Sequence, residues 1–176
     1  TLNNIYSLSI DNSPKTSSAI GKLAEILDYV LYKCNNDFVA ISAEMQLISD
    51  YIELEKLRYD DRLEVNVTSE IVVENQVPPL VFLSLVENAF KHGAGEDSGS
   101  PKIWIVLHAD SGKTEFKVMN TFVDTGETHD KETIGLNNIN KQLELLYGER
   151  YDLKTTKENN LFSVTLILQN KISNEN

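Results

Sequence analysis

The sequence is short of cysteine, proline and positive charge. It has one cysteine and four prolines in 176 residues, and 16 Lys and Arg against 27 Asp and Glu. Each shortage excludes something. Cys34 alone allows neither an intrachain disulfide nor a cysteine-based metal cluster, which suits a reducing compartment. A net charge of −11 argues against nucleic acid or an anionic membrane surface as the main partner, because both need a positive face. It leaves room for a local anion site, since backbone N–H groups and one Lys can hold a phosphate on an acidic protein. The longest apolar stretch, Val77 to Val86, contains Pro78, Pro79 and Ser84 and is too short to span a bilayer. No basic segment followed by an apolar one marks a secretory leader. Leu2, Ile5, Tyr6 and Leu8 read as a helix already under way. The chain is therefore expected to be a piece of a longer protein, with any membrane anchor outside it.

What is present is ample apolar material, 41% of residues, enough for one ordinary domain plus a helical attachment. Residues 1–60 read as helical. Ser13 and Pro14 suit the N-cap and first position of a helix whose stripe is Leu23, Ile26, Leu27, Val30 and Leu31. Phe38 to Ile41 is strand-like, and Ser42 suits the cap of a second helix reaching about Tyr59. That helix buries Met45, Ile48 and Ile52, with Glu55 and Arg58 paired on its outer side. Residues 61–170 mix strands and helices. Strands are expected at Leu63–Val67, Ile103–Leu107, Glu115–Met119, Tyr151–Thr155 and Phe162–Leu168, with a tight turn at Asp110-Ser111-Gly112. Helices are expected from Val77 to His92 and from Ile134 to Tyr147, the latter ended by Gly148. Between them, residues 121–133 form a long polar loop. Residues 171–176 read as a frayed tail. This order predicts an α+β fold, a two-layer sandwich of a mixed sheet with its helices on one face.

Three segments could carry chemistry. Asn88, Lys91 and His92 end an otherwise apolar helix and share a face there, being three and four residues apart. An amide oxygen, an ammonium and an imidazole together suit a metal–phosphate ligand, because Mg²⁺ takes few protein oxygens. A solvated polar helix end is the other reading of the same residues. Ile134, Gly135 and Leu136 stand where the long loop enters a helix. A glycine lets a ligand approach the backbone, and a helix start favours anions. Asn120 closes a strand and offers a donor and an acceptor to a ring edge, although turn chemistry alone also selects Asn there. His108 and His129 have no suitable carboxylate cluster or second ligand in view.

Together these residues resemble the LytS-type sensor histidine kinases of the GHKL ATP-binding superfamily. Pro78-Pro79-Leu80 with Leu85-Val86-Glu87-Asn88-Ala89 and Lys91-His92-Gly93 resembles the N box. Ile134-Gly135-Leu136 with Asn138, Leu143 and Tyr147-Gly148 resembles the G2 box and its helix. Tyr51-Ile52, Glu55 and Leu57-Arg58-Tyr59 resemble the helix before the ATP domain. Thr1 to Ile5 resembles the stretch just after the phosphoacceptor motif, so the acceptor histidine is expected upstream, outside this sequence. The resemblance implies ATP and Mg²⁺ as cofactors, Asn88 as the Mg²⁺ ligand, Lys91 on phosphate and His92 on the same edge. It implies Asn120 on the adenine amino group, with Asp124 as the runner-up, and residues 121–133 as a lid whose phosphate end is Gly135. It implies phosphoryl transfer to the upstream histidine, then to a response regulator receiver domain. The parent is expected to be a homodimer and a bacterial inner-membrane sensor, with this part on the cytoplasmic side.

The sequence departs from the pattern in places. Phe122 and Asp124 occupy glycine positions of the G1 box, Thr133 one of the G2 box, and Gln142 replaces the usual Arg. These changes motivate the alternative of a nucleotide-weak docking module. A hydrolytic GHKL ATPase would need a general base four residues before Asn88, where Ser84 stands instead. An unrelated α+β interaction domain is the remaining alternative.

Overall fold

Alternating and helical apolar patterns become five α-helices and seven strands in the computed structural model, which describes residues 2–59, 62–94, 100–122 and 130–170. The chain divides into two units, Thr1–Leu63 with Gln76–Leu83, and Glu64–Asn75 with Ser84–Asn176.

In the first unit, α1 (Leu2–Ile10) and α2 (Thr16–Asp28) join α3 (Ile41–Tyr59) around Ile5, Ala19 and Leu54, flanked by Leu8, Leu23, Ile26 and Leu57. Helix α2 starts two residues after the expected Pro14. The Ser13 hydroxyl accepts from the Lys15 N–H at 3.3 Å and the Ser13 carbonyl from Thr16 at 3.1 Å, so Ser13 and Pro14 are spent on the turn. A five-residue π-helical turn, Tyr29–Lys33, follows α2. Strand β1 (Val39–Ala40) pairs antiparallel with β3 (Gln76–Val77) and runs directly into α3, so Ser42 lies inside that helix rather than capping it.

Helix α3 buries Ile41, Leu47, Ile48, Ile52, Leu54 and Tyr59, and three acids with them: Glu44, Asp50 and Glu55. Glu55 is thus not on the outer side as expected, although its ion pair with Arg58 forms at 3.4 Å. Asp50 is held by the Lys22 ammonium at 2.6 Å and the Gln46 amide at 3.2 Å. Its hydrogen bond raises the Lys22 ammonium above its usual range. Oε1 of Glu44 accepts from the Tyr29 hydroxyl at 2.6 Å and from the Leu80 N–H at 2.8 Å.

Burial pushes the Glu44 carboxyl above the usual carboxylate range, opposed by Tyr29 and by the backbone amides of Leu80, Leu83 and Phe82. A raised folded-state value means that the folded chain prefers the protonated form. The stability this contributes is full below the unfolded value and is lost as pH rises through the folded one. Glu44→Gln copies the protonated shape without the charge. It is expected to be more stable than the wild type at pH 7 and to lose that advantage near pH 4. Urea unfolding of both proteins across that range checks it; a stability difference that does not vary with pH would contradict it.

The second unit is a five-stranded sheet in the order β2-β4-β5-β7-β6. Its strands are β2 (Glu64–Ile71), β4 (Lys102–Ala109), β5 (Lys113–Thr121), β6 (Tyr151–Glu158) and β7 (Leu161–Gln169). Strand β2 runs parallel to β4, and the remaining pairs are antiparallel. A parallel pair needs a crossover, and helix α4 (Val81–Ala89) lies in it. Along β4 and β5 every second residue is buried: Ile103, Ile105, Leu107 and Ala109 on one, Thr114, Phe116, Val118 and Asn120 on the other. These join Val164, Leu166 and Leu168 of β7, Leu85, Val86 and Ala89 of α4, and Ile139, Leu143 and Tyr147 of α5 (Asp130–Tyr147) as the buried residues of the unit. The α+β class with a mixed sheet is as expected.

Two tight turns set the antiparallel registers. At the first, Oδ1 of Asp110 accepts from the N–H groups of Gly112 at 2.7 Å and Lys113 at 2.9 Å, which holds its carboxyl below the usual range. At the second, Asn159 and Asn160 both take positive φ, 50° and 61°, as a two-residue hairpin turn requires. Gly148 ends α5 at φ +59°, its N–H bonded to the Glu144 carbonyl at 3.0 Å.

Candidate functional site

The end of α4 is less regular than its apolar pattern implies. The α-helix does not begin at Val77 or reach His92. Val77 is in β3, and Pro78 and Pro79, which bring no N–H and disfavour helical geometry before them, delay the start to Val81. Leu80, between the prolines and Val81, takes φ +64°. At the other end α4 closes at Ala89, and Phe90–Ala94 form a π-helical turn. Asn88 therefore belongs to α4, whereas Lys91 and His92 belong to the wider turn, so the three are not α-helically spaced. Such π turns recur at functional sites because they re-aim side chains. Lys91 is exposed. The side chain of His92 lies outside the described residues.

Two glycines show how closely the segments meet. A Cβ at Gly93, in the π turn, would sit 2.7 Å from Nδ2 of Asn120 and 2.8 Å from its Cβ. Asn120 is 1% exposed and donates from Nδ2 to the Thr121 carbonyl at 3.0 Å. It stands between Ile103 and Phe162 in the sheet. A Cβ at Gly135 would sit 3.3 Å from Oδ1 of Asn88. The structure thus brings Asn88 to Gly135 and Asn120 to the turn that begins just after Asn88. Gly135 is not at the helix start, as the sequence suggested, because α5 begins at Asp130; polar residues carry no periodicity from which that first turn could be read. Leu136 is half-buried, while residues 123–129, with Asp124 and His129, and the Ile134 side chain lie outside the described part.

A groove of about 440 Å³ opens beside Leu136, lined also by Asn137, Asn140, Thr155, Lys157 and Phe162. The Lys157 ammonium lies 5.5 Å from the Phe122 ring and 5.4 Å from the Phe162 ring. Sequence reasoning missed Lys157 and Phe162. The register of β7 on β5, which puts Phe162 opposite Asn120, was the signal that could have found the second. It also missed the company of His108. Nδ1 of that ring lies 3.1 Å from Glu70 and Nε2 3.5 Å from Asp110, because the parallel β2–β4 register places Glu70 alongside. His108 is therefore not without carboxylates, contrary to expectation.

Among the described residues no three His, Cys, Asp or Glu side chains are grouped to hold a metal. A cation held mainly by protein carboxylates does not fit the described part. A hard cation that takes one Asn oxygen and otherwise phosphate and water does fit, since Gly135 leaves the Asn88 amide uncrowded. Ser84, one turn before Asn88 on α4, is half-buried and is no base at neutral pH; Glu87 points outward to solvent. No described helix is long and apolar enough to cross a membrane.

Residues 1–63 match the family model described as histidine kinase. The sensor histidine kinase YpdA of Escherichia coli is 29% identical over 83% of this chain and 28% of its own length. The sensor protein kinase HptS of Staphylococcus aureus is 25% identical over 85% of this chain and 31% of its own. The chain spans less than half the length of these curated relatives. Among solved structures, the catalytic domain of histidine kinase ThkA superposes with a TM-score of 0.59 over 76% of this chain and 98% of that one, at 14% identity. That likeness shows the fold, which is the fold of histidine kinase catalytic domains.

Proposed function

We propose that this chain, a relative of the sensor histidine kinases, is the ATP-binding catalytic region of such a kinase. The observation that carries this reading is the approach of the Asn88 amide to Gly135, which joins the two segments that resemble the N and G2 boxes. In this reading Asn88 holds Mg²⁺, Lys91 meets phosphate oxygens, and His92, Ile134, Gly135 and Leu136 line the nucleotide. Asn120, whose Nδ2 bonds to the Thr121 carbonyl, reads the adenine edge through its oxygen. Of the lid expected over residues 121–133, residues 123–129 lie outside the described part and 130–133 belong to α5. Bound Mg²⁺ would supply charge neutralisation along the phosphates. The chain's own residues contribute position: they orient the γ-phosphoryl group toward an incoming imidazole of the kinase. Ser84 activates no water, which favours transfer to histidine over hydrolysis. The phosphoryl group passes on to a response regulator receiver domain.

Homodimerisation fits the helical unit. Helix α1 exposes Leu2, Tyr6 and Ile10 at four-residue spacing, and α2 exposes Ile20 and Leu27, with Leu31 continuing the stripe. Such stripes are what a partner helix covers. In this reading residues 1–60 are the signalling helices and 61–170 the ATP-binding domain, on the cytoplasmic side of a membrane-anchored bacterial sensor. The second reading, a nucleotide-weak docking module, draws on Phe122, half-buried at a position where the family keeps glycine.

Titration with a fluorescent ATP analogue and Mg²⁺ separates the two. Saturable binding below about 1 mM, the upper end of ordinary substrate constants, is expected. No binding at that concentration by a folded protein would sink the kinase reading and leave the docking module.

A further inference from the structure

Opposite sides of α5 face different neighbours. A helix turns by about 100° per residue, so Asn137 and Asn140 lie roughly 140–160° around the axis from Gly135. Gly135 meets Asn88 of α4, whereas Asn137 and Asn140 line the groove of about 440 Å³ against β6. The groove is therefore a second cavity, with α5 standing between it and Asn88. Its floor follows from strand alternation. Leu153, Thr155 and Lys157 of β6 pair with Leu166, Val164 and Phe162 of β7, so all six share one face of the sheet. Leu166 and Val164 are buried, which makes this the helix-covered face. It opens toward its margin, where Thr155 and Lys157 are exposed and Leu153 and Phe162 half-buried.

The groove has the size and make-up of a small-molecule pocket, which typically spans about 300–1,000 Å³ of apolar wall with a few placed polar groups. Leu136, Leu153 and Phe162 give the apolar wall, and the side-chain amides of Asn137 and Asn140 are polar. The Tyr151 hydroxyl donates to Oδ1 of Asn140 at 3.0 Å, which orients that amide. The cation is Lys157, whose ammonium lies 5.5 Å from the Phe122 ring and 5.4 Å from the Phe162 ring. Attraction to two rings narrows where a long, flexible side chain carries its charge. On a chain of net charge −11, a cation placed at an apolar groove selects for a negative ligand. A single ammonium balances a monoanion better than a polyphosphate.

We propose that this groove is a binding site for a small aromatic monoanion, separate from the Asn88–Gly135 side of α5. Its negative group meets Lys157, and its flat apolar body lies against Phe162, Leu136 and Leu153.

The probes are 2-naphthoate and its uncharged counterpart 2-naphthylmethanol. Wild type, Lys157→Met and Thr155→Phe are melted to confirm folding, then titrated with each probe and observed by NMR at the side-chain amides of Asn137, Asn140 and Asn88. Methionine keeps an apolar stem without the charge, and phenylalanine at exposed Thr155 fills the groove while suiting a strand. Wild type is expected to bind 2-naphthoate saturably at about 1 mM or tighter, as a ligand of this size can. The Asn137 and Asn140 amides should shift more than that of Asn88. Lys157→Met should weaken 2-naphthoate by about 5-fold, the upper range for an exposed charge pair, and leave 2-naphthylmethanol within about 2-fold. Thr155→Phe should weaken both probes. No saturable binding by the folded wild type would overturn the site, and so would unchanged 2-naphthoate affinity in Lys157→Met or in Thr155→Phe. Excess ATP with Mg²⁺ should leave 2-naphthoate bound; its full displacement would overturn a separate site. If ATP does not bind, the kinase reading falls, and the Lys157 and Thr155 comparisons still decide this one.

Discussion

Replacing Asn88 by alanine is expected to weaken Mg²⁺–ATP binding by roughly 10- to 100-fold, the loss of one charge-assisted contact worth about 1.5–3 kcal/mol. The fold should tolerate the change. Asn88 is half-buried near the end of α4, the apolar residues around it stay in place, and Gly135 on the facing helix needs nothing from it. The loss should depend on the metal: removing Mg²⁺ with EDTA should cost the wild type far more affinity than the variant. Calorimetric titration with and without EDTA reads both effects. A variant that binds as the wild type does would remove Asn88 from the site. It would leave the Gly135 contact as packing between two helices and nothing more.

The second large effect falls on stability and sits beside the first. Alanine at Gly93 would put a methyl group 2.7 Å from Nδ2 of Asn120, closer than unbonded heavy atoms come. Asn120 cannot step aside, being buried and bonded to the Thr121 carbonyl at 3.0 Å. Overpacking of this kind costs about 1–3 kcal/mol, and about 1 kcal/mol lowers the melting temperature of a chain this long by 2–4 °C. Adding Asn120→Gly to Gly93→Ala should recover part of the loss, because glycine removes the Asn120 Cβ, 2.8 Å away, together with the amide. Strictly additive melting shifts across the four proteins of this cycle would show that Gly93 is not where the turn meets β5. Nucleotide binding should weaken along with stability in Gly93→Ala, since the same turn follows Asn88.

The strands were legible because half-buried strands write their burial as alternation. Ile103, Ile105 and Leu107 could be read directly, and so could the Asp110–Gly112 turn, whose Asp caps its own loop. The C-terminal stop of α5 at Gly148 followed from the one residue type that takes positive φ freely. Asn88 and Gly135 were legible as candidates because their neighbours carry a family pattern. Their approach to each other was not, since it depends on how two helices lie over the sheet. Helix starts failed for a local reason. Side chains that could cap a helix also make turns, as Ser13 does, and a polar first turn such as that of α5 carries no apolar rhythm. The π turn after α4 was invisible because one widened turn changes hydrogen bonding without changing composition. Glu44 was illegible for a different reason. An acid on an amphipathic helix reads as solvated, and its partners Tyr29 and Leu80 are 15 and 36 residues away.

The two margins of the sheet bear on how the protein behaves in a crowded solution. Strands β2 and β6 lie at the ends of the strand order, and each offers one row of backbone groups that, among the described residues, no strand of this sheet covers. Exposed rows like these are where sheets of separate molecules fuse into fibrils. Strand β6 reads Tyr-Asp-Leu-Lys-Thr-Thr-Lys-Glu, with four charged residues in eight, and β2 carries Glu64 and Glu70 at its two ends. A strand from another molecule laid against either margin would have to desolvate those charges. The same sheet that builds the floor of the fold therefore resists growing past its own borders, and concentrated protein should stay free of amyloid.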